Sequence, residues 1–286
     1  MKHVAALVEM VAIALWAMSA SAGVVITQQT SIETNREVPG QGHEVTEEET
    51  VMIQGNKEKL IVQRPINKKL TLTRITVTDL DKGKVYMTDP MSKTYLEADL
   101  PPHGEGAKEE YLARYRASIN LKKTGKSRVV KGFRCEEFAS QGTVTFSSYT
   151  LNECIAKDAP GGAEFTAFRK RMLTELKVLP RTGTIPEGVP VDTQTMTEPR
   201  KPSPSEMGQQ VSPEFKMRMA NQPTFVTHSM VTQIEVKNLP PDTFEVPAGY
   251  TKKELTEKRP SGPPAPPAAG SPAPATAGSA APPTSH

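Results

Sequence analysis

The sequence predicts an α+β, β-rich fold: one mostly antiparallel sheet with two packed helices. Three observations predict it. Apolar and polar residues alternate at period two over most of the stretch 23–250, the spacing of half-buried strands. The alternating stretches are short and separated by turn-forming residues such as Gly55-Asn56 and Asp81-Lys82-Gly83, which join neighbours antiparallel. Apolar stripes at helical spacing occur twice, over 105–120 and 163–178.

The strands follow in order. Residues 23–34 form the first, and 50–53 and 59–63 flank Gly55-Asn56 as a hairpin. A meander follows: 70–80, the turn Asp81-Lys82-Gly83, 84–88, the turn Asp89-Pro90-Met91-Ser92, and 93–97. Setting Leu80 opposite Lys84 places Val77 across from Met87. Setting Thr88 opposite Lys93 places Tyr86 across from Tyr95 and Val85 across from Leu96. Because side chains alternate faces, one face then carries Ile75, Val77, Val85, Met87 and Leu96. The other carries Thr76, Thr78, the tyrosine pair, Lys84 and Glu97, which reads as a solvated face with stabilising cross-strand pairs.

The first helix, 105–120, places Tyr111, Tyr115 and Ile119 at four-residue steps, with Glu105, Glu109 and Glu110 early, as the helix dipole favours. A hairpin of 126–138 and 143–151 flanks Gln141-Gly142. In the second helix Phe165, Phe168, Met172 and Leu176 make one stripe, while Arg169, Lys170 and Arg171 fall largely elsewhere. Residues 189–196, 224–236 and 244–250 supply the last strands.

Domain organisation is read from composition. Lys2 and His3 precede an apolar run, 10–18, and then Ala20-Ser21-Ala22, the pattern of a cleaved signal peptide over 1–22 with cleavage before Gly23. The run is far shorter than the ~20 residues a spanning helix needs, so the chain is expected to be periplasmic or secreted and not integral to the membrane. Residues 23–256 form a single β-rich domain. Within it, 198–222 reads as a flexible loop broken by Pro199, Pro202, Pro204 and Pro213. Residues 257–286, nearly all Pro, Ala, Gly and Ser, cannot bury enough apolar surface to offset ordering entropy and read as a disordered tail.

The formal net charge of +3 is spread without the basic stripe that nucleic acid requires. The two cysteines, Cys135 and Cys154, pair as a disulfide in an oxidising compartment. A two-residue loop at Gln141-Gly142 would leave them about six residues apart along the strands, roughly 20 Å. Either a wider loop shifts the register, or the chain leaves the strand near Thr150 and folds Cys154 back; the turn-forming Asn152 and Asp158-Ala159-Pro160-Gly161 favour the second.

No catalytic signature is present. His43 and His103 lie in Gly- or Pro-rich stretches, His286 in the tail, and His228 in a strand without a nucleophile motif nearby. Asp79 and Asp81 flank a turn, where Asp is expected, and Glu47, Glu48 and Glu49 read as a solvated charge run. No catalytic, cofactor or metal residues are assigned, and the chain reads as non-enzymatic.

Three sets of segments carry a family resemblance. They are Ile75-Thr76-Val77-Thr78-Asp79-Leu80 with Lys84-Val85-Tyr86-Met87 and Lys93-Thr94-Tyr95; Thr124-Gly125-Lys126 with Lys131-Gly132-Phe133-Arg134-Cys135; and Phe244-Glu245-Val246-Pro247-Ala248-Gly249-Tyr250. Their order and spacing over 24–250 resemble the exported bacterial family known as domain of unknown function 4412. That family is similar in fold to the LolA and LolB lipoprotein carriers, in which a curved half-barrel sheet wraps helices around an apolar cavity. The resemblance implies a binding module for a lipid, lipoprotein or other apolar ligand. Its ligand face would be Ile75, Val77, Val85, Met87 and Leu96 opposite Phe165, Phe168, Met172 and Leu176. The alternative is a structural or protein-interaction component of the cell envelope, using the 198–222 loop and the tail as adaptors.

Overall fold

A computed structural model describes residues 22–38, 42–67, 70–100, 120–144, 147–177, 185–200 and 223–254. The chain divides into two units, Met1–Lys253 and Glu254–His286, of which the second lies outside the described residues except for Glu254. The expected signal peptide, the helix over 105–119, residues 201–222 and the tail also lie outside them. Among the described residues there is one α-helix rather than two.

Twelve strands form one sheet: β1 (Gly23–Val38), β2 (Gly42–Gln54), β3 (Lys57–Asn67), β4 (Leu70–Asp79), β5 (Lys84–Asp89), β6 (Thr94–Asp99), β7 (Lys122–Val130), β8 (Phe133–Val144), β9 (Ser147–Ala156), β10 (Val189–Pro199), β11 (Phe225–Lys237) and β12 (Thr251–Lys252). Their order is β12-β6-β5-β4-β3-β2-β1-β11-β10-β9-β8-β7. Every pairing is antiparallel except β12 with β6, so the open, curved sheet is mixed. Register shifts leave Thr232 extra on β11 and Val191 extra on β10. Such bulges bend the strand that carries them.

Three expectations about register change. The meander closes with Asp79, not Leu80, opposite Lys84. Asp79 Oδ1 accepts the Lys82 N–H at 3.1 Å, and the Leu80 N–H bonds to the Asn56 carbonyl at 2.9 Å, so Leu80 belongs to the turn. A one-residue slip turns a strand over: Ile75 and Val77 share a side with Tyr86, while Val85 and Met87 share the other with Thr76, Thr78 and Leu96. The second turn slips by two, which preserves the faces. Tyr86 and Tyr95 become diagonal neighbours with ring centroids 6.3 Å apart, and Lys84 meets both Asp99 and Glu97.

The third change concerns the cysteine hairpin. The chain turns at Lys131-Gly132, both at positive φ (50° and 88°), as a two-residue hairpin requires. It does not turn at Gln141-Gly142, through which β8 continues to Val144 opposite Ser147. Gly142 lies directly opposite Tyr149, and a Cβ there would meet the tyrosine Oη at 2.3 Å. This glycine therefore admits an aromatic neighbour and does not turn the chain. The register sets Cys154 opposite Glu137, which brings Cys135 and Cys154 to a Cα separation of 5.3 Å in a disulfide. The register shift, not a fold-back, resolves the distance. Finally, 244–250 is not a strand: a 3-10 turn (Pro241–Phe244) and irregular chain lead into β12.

The helix α1 (Gly162–Glu175) starts after Gly161, which has φ 71° and sits against Val24. Thr166 donates to the Gly162 carbonyl and accepts the Gly188 N–H, tying the helix to the lead-in of β10. Phe168, Met172, Leu173 and Leu176 pack in one cluster with Val24, Ile26, Ile53, Leu80 and Leu100, and with Val130, Cys135, Cys154, Val189 and Val191 from the other limb of the sheet. No helix among the described residues is long and apolar enough to cross a membrane.

Candidate binding site

The residues expected to line an apolar seat are dispersed. Phe168, Met172 and Leu176 are buried, and Phe165 and Val85 pack against the same core. Leu96 is half-buried beside Met87, which is 39% exposed. Val77 is buried on the other side of the sheet, with half-buried Ile75. On that side Lys59 donates to the Thr243 carbonyl at 2.8 Å, which docks the 3-10 turn against β3. Burial lowers the Lys59 pKa, and Asp242 opposes this.

The side of β1–β3 that meets α1 is apolar only at one end. Val24 with Ile53 and Ile26 with Val51 form two apolar rungs. The next positions on the same side are Gln28 with Glu49, bonded at 2.6 Å, and Thr30 with Glu47. Thr30 Oγ1 also meets Ser229 Oγ at 2.8 Å, and buried Glu47 accepts from Arg64 Nε. Glu58 lies on this side too, between Ile53 and Thr78, and makes no hydrogen bond or ion pair among the described residues. Burial pushes its carboxyl up to about 7.

A pocket of about 420 Å³ opens instead over β7–β11, within the size range of small-molecule sites. Arg128, Glu137, Asn152, Asp192, Gln194 and His228 line it, with Thr124, Phe138 and Glu153. Asp192, on β10 just after the bulge, is 7% exposed. Its two carboxylate oxygens accept separately from His228 Nε2 at 2.7 Å and from the Arg128 guanidinium at 2.5 Å. Arg128 Nε reaches Glu137 at 3.0 Å. Glu137 and Asp192 flank Cys154 as its direct cross-strand neighbours, so the disulfide ties β8, which holds Glu137, to β9, against which Asp192 pairs. Burial raises the Glu153 pKa, against the pull of Arg169 3.6 Å away.

The Asp192–His228 pair orients an imidazole, and among the described residues no hydroxyl or thiol hydrogen-bonds to it. A nucleophilic relay would need that third member. The arrangement offers a fixed, charge-compensated wall beside unengaged amides: Asn152 and Gln194 have no side-chain partner among the described residues. Of these residues His228 alone stands out in the sequence, as a histidine; Arg128, Glu137 and Asp192 lie on three other strands and share no linear motif with it.

Residues 38–175 match the model of the family described as domain of unknown function (DUF4412). Over that stretch the chain carries the domain of that family. The matched stretch holds Arg128, Glu137, Asn152 and both cysteines, whereas Asp192, Gln194 and His228 come from β10 and β11, beyond it. No curated protein matches the chain.

Proposed function

We propose that this chain, which carries the domain of unknown function 4412, is an exported, non-enzymatic binding module whose ligand seat is the pocket over β7–β11. One observation carries the reading: nearly buried Asp192 holds Arg128 and His228 in place beside free amides. A few fixed polar groups converging on a concave site are what confer orientation and specificity on a ligand. The disulfide is in keeping with an oxidising compartment such as the periplasm or the medium. The lipid or lipoprotein seat of a LolA-like carrier is the weaker form of this proposal, because the helix stripe is already occupied by core partners and the next rungs of β1–β3 are polar.

The test is mass spectrometry of whatever extracts from the full chain purified from its native compartment. A polar small molecule retained by the wild type and lost in Asp192→Ala supports the pocket. A lipid retained by both variants would move the seat elsewhere. A stable protein partner with no extracted ligand would favour the structural, protein-interaction reading.

A further inference from the structure

The residues along one rung of the sheet define what the pocket fits. Asn152, Gln194 and His228 are direct cross-strand neighbours on β9, β10 and β11. The same rung continues through Ser31 on β1 and Thr46 on β2. Paired residues share a face, so five hydrogen-bonding side chains stand in a row across five strands. Asn152, Gln194, Ser31 and Thr46 have no side-chain partner among the described residues. His228 uses only Nε2, leaving Nδ1 for a ligand.

The charges beside this row disfavour other ligand classes. Arg128 is held between Glu137 and Asp192, and Asp192 is shared by Arg128 and His228. An anion would meet two carboxylates against one guanidinium. A cation would have to displace Arg128 or His228 from Asp192. An apolar ligand would strip water from these amides and give no hydrogen bond back. What remains is an uncharged ligand rich in both donors and acceptors. Neighbouring strands lie about 4.8 Å apart, so the polar groups recur at close to the length of one pyranose unit.

We infer that the rung Asn152–Gln194–His228–Ser31–Thr46 binds a linear, uncharged glycan laid across the strands. This rests on the binding-module reading above. The test uses the full chain in titration calorimetry and saturation-transfer NMR with two neutral trisaccharides, chitotriose and maltotriose, and with inorganic phosphate and oleate as contrasts. Gln194→Ala removes an exposed amide outside the core, so its thermal midpoint should match the wild type. The expected result is binding of at least one trisaccharide, weakened tenfold or more by Gln194→Ala and unchanged by Gln63→Ala, an exposed amide off the rung. Failure of both trisaccharides to bind, or binding indifferent to Gln194→Ala, overturns the inference. Phosphate or oleate bound in their place, sensitive to Gln194→Ala, overturns the glycan class and leaves the binding module standing. The binding module itself falls only if native extraction also yields no ligand.

Discussion

Glu58 gives the fold a measurable pH dependence. Its carboxyl lies on the α1 side of β3, opposite Ile53 and Thr78, with no partner charge among the described residues, and burial pushes its pKa from 4.5 to about 7. Below pH 4.5 the group is protonated in both the folded and the unfolded chain, and its contribution to stability is fully present. As pH rises, the unfolded chain releases the proton while the folded chain still holds it, so stability falls until the folded group also ionises near pH 7. At about 1.4 kcal/mol per pKa unit, the loss is about 3 kcal/mol. This is a ceiling, because Glu58 keeps part of its surface exposed. Glu58→Gln keeps the shape and removes the ionisation. Thermal unfolding should show the variant equal to the wild type at pH 4 and more stable at pH 8, by up to about 5–10 °C for a domain of this size. Glu153, whose pKa is also raised by burial, tilts both profiles alike and cancels in the difference. Parallel profiles across pH 4–8, or a variant less stable at pH 8, would mean that the Glu58 carboxyl reaches water, and the reasoning would fail.

Three further outcomes test the packing. Met172→Ala, in the filled core, should cost about 2–5 kcal/mol in denaturant unfolding, whereas half-exposed Met87→Ala should cost under about 1 kcal/mol; equal losses would contradict the placement of Met87 outside that core. Removing the disulfide with the Cys135→Ser, Cys154→Ser double variant should cost about 3 kcal/mol, from the loop entropy of its 19-residue separation; an unchanged denaturation midpoint would show that the bond constrains nothing. Gly188→Ala should lower the thermal midpoint by more than any surface substitution, because φ is 115° and a Cβ would sit 2.4 Å from the Ala156 carbonyl. Strained backbone alone costs about 1–3 kcal/mol, and a midpoint within 1–2 °C of the wild type would contradict the close approach of β10 to β9.

The parts of this fold legible in the sequence are those fixed by local physics. Period-two alternation marked most strands, and the Phe168, Met172, Leu176 stripe marked α1 within a few residues of its observed ends. What local physics does not fix is the pairing between strands. The turn signal sets Leu80 opposite Lys84, whereas Asp79 takes that place because its carboxylate closes the turn. Gln141-Gly142 reads as a hairpin turn in the sequence, but Gly142 sits opposite Tyr149 within a continuous β8. Each such choice moves side chains between faces or along a strand, which is why the expected apolar ligand face came apart while the strands themselves survived. The pocket is more exposed to this than any other feature. Arg128, Glu137, Asp192 and His228 meet only when five strands, β7 to β11, pair in the right register, including a bulge that leaves Val191 unpaired. A one-residue slip at any of those pairings would turn at least one of the four side chains to the opposite face. The disulfide is the one covalent constraint on this arrangement. Because Cys154 sits directly between Glu137 and Asp192, it holds in place the β8–β9 register on which the site depends.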